Sequence, residues 1–244
     1  MRPTTPHYAT PYHWWGPGPQ PAAPLTLAAL LRAGTLDTAQ AAFLWAALAQ
    51  RRSLTVVGGP SGLGKSTLLH ALLPLLRATT RRVFLRGCYE TFAFAADGLP
   101  TGAVMLVNEI SPHLPIYLWG PAVRRTLELC AGGVPLLATA HGHSVVEFVA
   151  SLTGSPLRIP PALVAGCDLV ALMQVDAAGT RCLREIWRLS ATTQGGVDLR
   201  RIDPSSPGDG FDALDIMARR GRLETWLSEN GAAGSATEAL LHQP

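Results

Sequence analysis

A glycine-rich loop stands between an apolar run and a helical pattern, and it constrains the fold more than any other part of the chain. The loop has the sequence GPSGLGKS over residues 59–66 and matches the pattern G-x-x-x-x-G-K-[ST]. Glycines let a backbone turn around a phosphate, and successive N–H groups at the start of a helix attract anions. The order of strand, loop and helix predicts a phosphate-binding loop, with a glycine-rich turn that binds no nucleotide as the alternative.

The residue types within this loop predict ATP and Mg²⁺ as its ligands. Lys65 can reach the β- and γ-phosphates, and the Ser66 hydroxyl can coordinate Mg²⁺. Lys65 is the only lysine among the 20 lysine and arginine residues, which argues against an accidental placement in the motif. The predicted nucleotide-binding residues are Gly59, Pro60, Ser61, Gly62, Leu63, Gly64, Lys65, Ser66 and Thr67.

Short β-rich runs alternate with helical patterns along the chain. The predicted strands cover residues 54–57, 82–85, 103–107, 135–139, 169–174 and 181–189, and the predicted helices cover residues 25–34, 37–52, 65–77, 122–130, 144–152 and 211–227. Asp37 is the expected N-cap of the second helix. This alternation predicts an α/β fold with a mostly parallel central sheet flanked by helices. The last two strands are joined by DAAG and predict a C-terminal β-hairpin, whereas residues 195–210 are expected to form a loop.

Composition divides the chain into three parts. Residues 1–24 are rich in Pro, Gly, His and aromatic residues and predict a flexible arm, with docking through Tyr12, Trp14 and Trp15 as the alternative. Residues 25–192 form the predicted P-loop core, and residues 193–244 a loop and helix extension. With 48% apolar and 15% charged residues, a chain of 244 residues can bury a core of its own.

Charge and cysteine spacing indicate the class of partner and the cellular compartment. The net charge of +3 is small and scattered, and it gives no strong signal for nucleic-acid binding. The four cysteines form no C-x-x-C pair, which favours reduced thiols over a zinc site. Neither a signal peptide nor a membrane-spanning run is apparent, so a cytoplasmic location is expected.

Glu109 is the best candidate for the group that orients or deprotonates the attacking water. It follows the apolar run AVMLVN, which suits a buried parallel strand whose carboxyl end opens on the ligand site of an α/β sheet. Asn108 stands where an aspartate often precedes such a glutamate, so Mg²⁺ is expected to depend on Ser66, phosphate and water. A glutamate that only caps the next loop is the alternative.

Three further residues are weaker candidates. His141 ends the apolar run PLLATA, which is expected to lie beside the phosphate strand, and it can contact the γ-phosphate or its water; a structural histidine is the alternative. His143 is interpreted as a helix-start residue, and no third ligand supports a metal site at the H-x-H pair. Glu90 is a tentative site for Mg²⁺ or water, with a surface glutamate as the alternative.

Four elements in order resemble secretion ATPases of the type II/type IV superfamily, especially the tight-adherence pilus (CpaF-like) branch. The segment over residues 25–72 is similar to the lead-in helices and Walker A loop of that family, and VMLVNEI resembles its Walker B strand, with Glu109 at the catalytic glutamate. LLATAHGHSVVEFV is similar to its histidine box, with His141 at the histidine, and residues 168–189 resemble its final pair of strands. The resemblance implies a RecA-like P-loop ATPase.

The chain also departs from this family. The short arm is expected to stand in place of the N-terminal domain of the family, and the acidic box is reduced to Glu90. Only 44 positions separate Lys65 from Glu109, so the insert that supplies trans-acting arginines is missing or small. Arg124 and Arg125 are candidate substitutes, with a solvated helix face as the alternative.

The resemblance implies an ATP-hydrolysing motor of pilus assembly or protein secretion. Such a motor is expected to be a homo-oligomer, with a hexamer as the family's form, and to work against a membrane-embedded partner at the inner face of the cell membrane. Two other functions remain open: a regulatory or scaffold protein controlled by its nucleotide state, and an ATPase stimulated by nucleic acid.

Overall fold

A seven-stranded sheet forms the centre of the protein in the computed structural model, which describes residues 8, 26–59, 61–96, 98, 101–208 and 210–230. Its strands are β1 (Leu54–Gly58), β2 (Arg81–Phe84), β3 (Ala103–Ile110), β4 (Leu136–His141), β5 (Leu169–Val175), β6 (Arg181–Ala191) and β7 (Val197–Ile202). The order across the sheet is β2-β3-β4-β1-β5-β6-β7. The first five strands in this order are parallel, and β6 and β7 are antiparallel to their neighbours.

Helices cover both faces of this sheet. They are α1 (Leu27–Arg32), α2 (Thr38–Ala49), α3 (Lys65–Leu72), α4 (Pro121–Ala131), α5 (Val145–Thr153), α6 (Pro161–Val164) and α7 (Ala213–Asn230). Side chains of α1, α2, α3 and α7 share one apolar cluster, whereas those of α4, α5 and α6 share the other. Successive residues of β3 alternate between the two clusters, as a strand buried on both faces requires. The mostly parallel sheet, its flanking helices and the C-terminal hairpin confirm the predicted fold class.

Local sequence signals explain where several helices begin. Asp37 caps α2, because its side chain accepts a hydrogen bond from the Gln40 N–H while the Gln40 side chain accepts one from the Asp37 N–H. Ser144 caps α5 in the same position by accepting from the Glu147 N–H. The predicted N-cap at Asp37 and the predicted start of a helix at residue 144 are therefore confirmed.

Two predicted elements were wrong in part. The helix predicted over residues 65–77 ends at Leu72 and continues only as a 3₁₀ turn, because Pro74 has no N–H for a helical hydrogen bond. The loop predicted over residues 195–210 contains β7, whose residues pair with β6 from Ile186 to Ala191. Only Ile202 of β7 is buried, so this strand lacks the apolar run by which the buried strands were recognised.

Three further predictions concern the cysteines, membrane-spanning helices and the N-terminal arm. Cys88, Cys130, Cys167 and Cys182 are free thiols, as predicted. Within the described ranges, no helix is long and apolar enough to cross a membrane. The predicted arm over residues 1–24, with Tyr12, Trp14 and Trp15, lies outside the described residues except for Tyr8.

Candidate nucleotide-binding site

An open cleft of about 650 Å³ lies at the carboxyl ends of β1, β3 and β4. Parallel strands bring these ends to one edge of the sheet, where ligands of α/β proteins bind. The residues that line it come from the glycine-rich loop, from β3 and the segment after it, from β4 and from β6: Ser61, Gly62, Leu63, Gly64, Lys65, Ser66, Thr67, Asn108, Glu109, His113, Leu114, Tyr117, His141 and Arg181. The fold therefore brings Lys65, Ser66, Glu109 and His141 together at one cleft.

The glycine-rich loop enters α3 through two residues in the left-handed region. Gly62 and Gly64 have φ values of 82° and 86°, a backbone conformation that residues with a Cβ rarely adopt. Among the described residues, no side chain caps the N-terminus of α3. The first N–H groups of a helix have no partner within the helix. The first turn of α3, from Lys65 to Thr67, thus offers N–H groups and a positive helix end to a ligand in the cleft.

Lys65 lies nearly buried at the base of this cleft. Its Nζ donates a hydrogen bond to the Gly58 carbonyl oxygen at 3.1 Å and lies 3.6 Å from Glu109 Oε1. The Lys65 and Glu109 side chains retain 9% and 13% of their exposure, so little water screens the pair. An ammonium group held in this way can turn to a phosphate with a small movement of its flexible end.

Glu109 points into the cleft from an irregular part of β3. The pairing of β3 with β4 shifts register between Val107 and Ile110, where three steps along β3 match two along β4. Such a bulge re-aims a side chain away from the regular alternation. Thr139 Oγ1 on β4 lies 3.0 Å from Glu109 Oε2 and also contacts the Asn108 carbonyl oxygen. The bulge and the Thr139 hydroxyl together fix the direction of the carboxylate.

His141 ends β4 directly beside β1, where it is the register partner of Gly58. Its ring lies against that of His113, with ring centroids 3.9 Å apart. Burial lowers the pKa of His141 below its ordinary value, and the positive charge that His113, Lys65 and His143 can carry adds to this effect. These effects favour the uncharged ring of His141, which can exchange a hydrogen bond with a phosphate or a water.

The structure places the other candidates as follows. The His143 N–H donates to Glu147 Oε2 at the start of α5, and the His143 ring fills the space beside Gly59 that a Cβ would need. Pro60 lies outside the described residues. Among the described residues, no group of three or more His, Cys, Asp or Glu side chains is arranged to hold a metal ion.

Glu90 does not line this cleft. Its carboxylate accepts hydrogen bonds from the Tyr8 hydroxyl at 2.8 Å and from the N–H groups of Arg86 and Phe92. These contacts hold the loop after β2 together and occupy both oxygens of the carboxylate. Neither candidate arginine of α4 lines the cleft: Arg124 donates to the Arg158 carbonyl, and Arg125 pairs with Glu128 at 3.2 Å.

Sequence reasoning missed three polar residues that line the cleft, His113, Tyr117 and Arg181. His113 and Tyr117 lie in the segment between β3 and α4, which carries no periodic pattern. Burial raises the pKa of Tyr117, and the negative charge of Glu109 adds to this, which reflects their proximity. Arg181 is the first residue of β6, and a Cβ on Gly64 would lie 4.0 Å from its Cδ. The predicted hairpin held a signal for Arg181, because a strand that turns back from β5 must begin at the edge where β1 ends.

The solved structures that this chain resembles include two secretion-system ATPases, both of low similarity. No protein-family model and no curated protein matches the chain. The VirB11 ATPase from the Brucella suis type IV secretion system, in complex with sulphate, is 19% identical with a TM-score of 0.47, and the match covers 68% of this chain and 57% of that one. The Legionella pneumophila ATPase DotB is 16% identical with a TM-score of 0.39, and the match covers 90% of this chain and 65% of that one.

The match thus spans less than two thirds of either structure. At these values the similarity carries no argument about activity.

Proposed function

We propose that the chain binds Mg-ATP in the cleft and hydrolyses it. The observation that carries this proposal is the convergence of Lys65 and Glu109, 3.6 Å apart, in front of a glycine-rich loop that opens α3. A phosphate-binding cation and a carboxylate that can orient water are the two side chains that positional catalysis of phosphoryl transfer needs. Lys65 and Glu109 are 44 positions apart in the chain, so it is the fold that brings them together.

The triphosphate would lie along the loop. Residues 59–67 supply the N–H groups that surround the phosphates, and Lys65 contacts the β- and γ-phosphates. Arg181, which lies beside Gly64, adds a second positive charge from the same chain. The negative γ-phosphate would draw the Lys65 ammonium from Glu109, which leaves the carboxylate available to water.

The cleft fits a Mg²⁺ ion that is held mainly by phosphate oxygens and water. Mg²⁺ in nucleotide sites keeps several waters and takes few protein ligands, and the Ser66 hydroxyl in the first turn of α3 is one such ligand. Asn108 lines the same cleft from β3. Bound there, the ion would neutralise charge on the β- and γ-phosphates. Because Glu90 is engaged with Tyr8 and two N–H groups, it is not part of this ligand set.

Glu109 would orient the attacking water and accept its proton. The water oxygen forms a bond to the γ-phosphorus while the bond from that phosphorus to the bridging oxygen breaks, which yields ADP and inorganic phosphate. Thr139 keeps the Glu109 carboxylate in place, and His141 contacts the γ-phosphate or the water from β4. The loop N–H groups and Lys65 stabilise the charge on the transferred group.

We further propose that this ATPase is the core of a pilus or secretion motor that works as a homo-oligomer. The support is the resemblance of four elements in order: the loop, the β3 strand with Glu109, the β4 strand with His141 and the β5–β6 hairpin. A membrane-embedded partner at the inner face of the cell membrane would receive the movement.

Phosphate release from ATP tests the proposed activity. Turnover is expected to need Mg²⁺ and to fall at least about a hundredfold in Glu109→Gln, which keeps ATP binding but cannot accept the proton. Glu128→Gln is the matched control, since Glu128 lies on α4 outside the cleft. Equal turnover in Glu109→Gln and the wild type would remove Glu109 from the mechanism.

Light scattering with and without a non-hydrolysable ATP analogue tests the motor. Assembly with the analogue is expected, together with turnover that does not respond to DNA. A monomer under both conditions would contradict the motor, and stimulation by DNA would favour an ATPase that acts on nucleic acid.

A further inference from the structure

A second cavity, of about 330 Å³, lies at the opposite edge of the sheet from the nucleotide cleft. It is enclosed by the end of α2, the segment after α3 and the amino ends of β3 and β4. Strand β1 runs between the two edges, and its five residues separate them by about 13 Å. The size falls within the range of cavities that bind small molecules, and none of its lining residues belongs to the nucleotide cleft.

The floor of this cavity is apolar. Leu48 from α2, Val104 from β3 and Leu137 from β4 form it, and each belongs to the apolar cluster on that face of the sheet. Burial of apolar ligand surface against such a floor is favourable by about 25 cal/mol for each Å² removed from water. The floor thus selects a ligand with an apolar body.

The rim carries positive charge. Arg51, Arg52 and Arg77 line the cavity, and none of the described lining residues is an aspartate or glutamate. Arg51 Nη2 donates to the Ala103 carbonyl at 2.9 Å and Arg77 Nη2 donates to the Ala49 carbonyl at 3.3 Å. None of the ion pairs between described residues involves Arg51 or Arg77.

These backbone contacts hold two guanidinium groups at the rim without neutralising their charge. Arg52 differs, because Asp168 pairs with it at 3.3 Å. A guanidinium group has five N–H donors, so Arg51 and Arg77 keep donors for a ligand after their contacts with the backbone are counted. Their planar fork matches a phosphate or carboxylate.

We propose that this cavity binds a small anionic amphiphile, whose apolar body lies on the floor and whose phosphate or carboxylate headgroup contacts Arg51 and Arg77. The inference is independent of ATP hydrolysis, because it uses no residue of the nucleotide cleft. Charge on the rim and apolar surface on the floor select against two simpler ligands, an inorganic anion and a neutral amphiphile.

Calorimetry with the whole chain and three matched probes tests the ligand chemistry. Octyl phosphate, below the concentration at which it aggregates, is expected to bind with one site per chain. Inorganic phosphate lacks the body and octyl glucoside lacks the charge, so each is expected to bind at least about tenfold more weakly, a difference of about 1.4 kcal/mol. Co-sedimentation with vesicles of phosphatidic acid, compared with vesicles of neutral lipid, distinguishes a lipid headgroup from a free amphiphile.

Three variants locate the binding. Arg77→Gln removes one rim charge at an exposed position, and Ala49→Phe fills the cavity from the end of α2. Octyl phosphate affinity is expected to fall about tenfold or more in the first variant and to be lost in the second. Arg125→Gln is the control, since it removes an exposed arginine far from this rim.

Thermal melting by circular dichroism checks that each variant is folded, and Arg51→Gln replaces any that is not. Absence of heat with octyl phosphate would overturn the proposal. Equal binding of octyl glucoside or inorganic phosphate would also overturn it, as would unchanged affinity in Arg77→Gln and Ala49→Phe.

Discussion

Lys65 Nζ lies 3.6 Å from Glu109 Oε1, although β1, which leads into the loop before Lys65, and β3, which carries Glu109, are not neighbours in the sheet. Strand β4 lies between β1 and β3, and its Thr139 contacts Glu109 from below the cleft. Neither charge could be buried alone at low cost, so each stabilises the other in the absence of nucleotide. The pair also positions both side chains where a γ-phosphate would enter.

Thr139 is expected to act as a positioning residue for Glu109. A hydrogen bond to a charged group contributes about 1.5–3 kcal/mol. Thr139→Val keeps the shape and removes the hydroxyl, so kcat is expected to fall about tenfold or more while the Kd for ATP stays within about twofold. Thr126→Val is the matched control, because Thr126 is equally buried and its hydroxyl donates to the Ala122 carbonyl on α4, away from the cleft. A purely structural role would instead lower the melting temperature and leave kcat unchanged.

Arg181 is expected to contribute to ATP affinity from within the same chain. Its side chain lines the cleft opposite Gly64, so the Arg181→Gln variant removes a charge near the phosphates. Calorimetry is expected to show ATP binding weakened about tenfold, a contribution typical of a hydrogen bond to a charged group. Arg184→Gln provides the control on the same strand, since Arg184 is exposed and does not line the cleft. If the two variants bound ATP equally, Arg181 would have no role there.

His70 on α3 is expected to make stability depend on pH. Burial, and secondly the charge of Arg82, lower the pKa of His70 from 6.5 to about 4 in the folded protein. Between these two values the unfolded chain binds a proton at His70 that the folded protein does not, so stability is lost as the pH falls through this window. The full shift corresponds to about 3 kcal/mol, and partial exposure of His70 to water reduces this to about 2 kcal/mol.

Urea denaturation of the wild type and His70→Leu at neutral pH and near pH 4.5 measures this effect. The wild type is expected to lose more of its free energy of unfolding than the variant, by about 2 kcal/mol. Equal losses in the two proteins would show that His70 does not titrate across this window.

The parts of the fold that were predictable are those with a local physical signal. Buried parallel strands appear as apolar runs, the capping box begins with Asp37, and glycines mark the loop before α3. Strand β7 had no such signal, because only one of its six residues is buried and it depends on pairing with β6. Pro74 was a sequence signal for the early end of α3. The leucines on both sides of it continue the helical pattern and led to a longer predicted helix.

The site was predictable wherever a residue lies at the end of a buried strand. Glu109 and His141 reach the cleft for this reason, but the bulge that re-aims Glu109 follows from the register of two strands and not from either sequence. Arg181 reaches it through the topology of the hairpin. The contacts of Glu90 were not predictable from the sequence around it, since its partner Tyr8 is 82 positions away in the chain.

Calorimetry of ATP with Mg²⁺ against the wild type and Lys65→Ala tests the central claim, that the loop and its one lysine hold a triphosphate. The account predicts one ATP bound per chain and a loss of about tenfold to a hundredfold in affinity in Lys65→Ala, since that variant removes a charged donor to the phosphates. Absence of binding to the folded wild type, or equal affinity in both proteins, would contradict it.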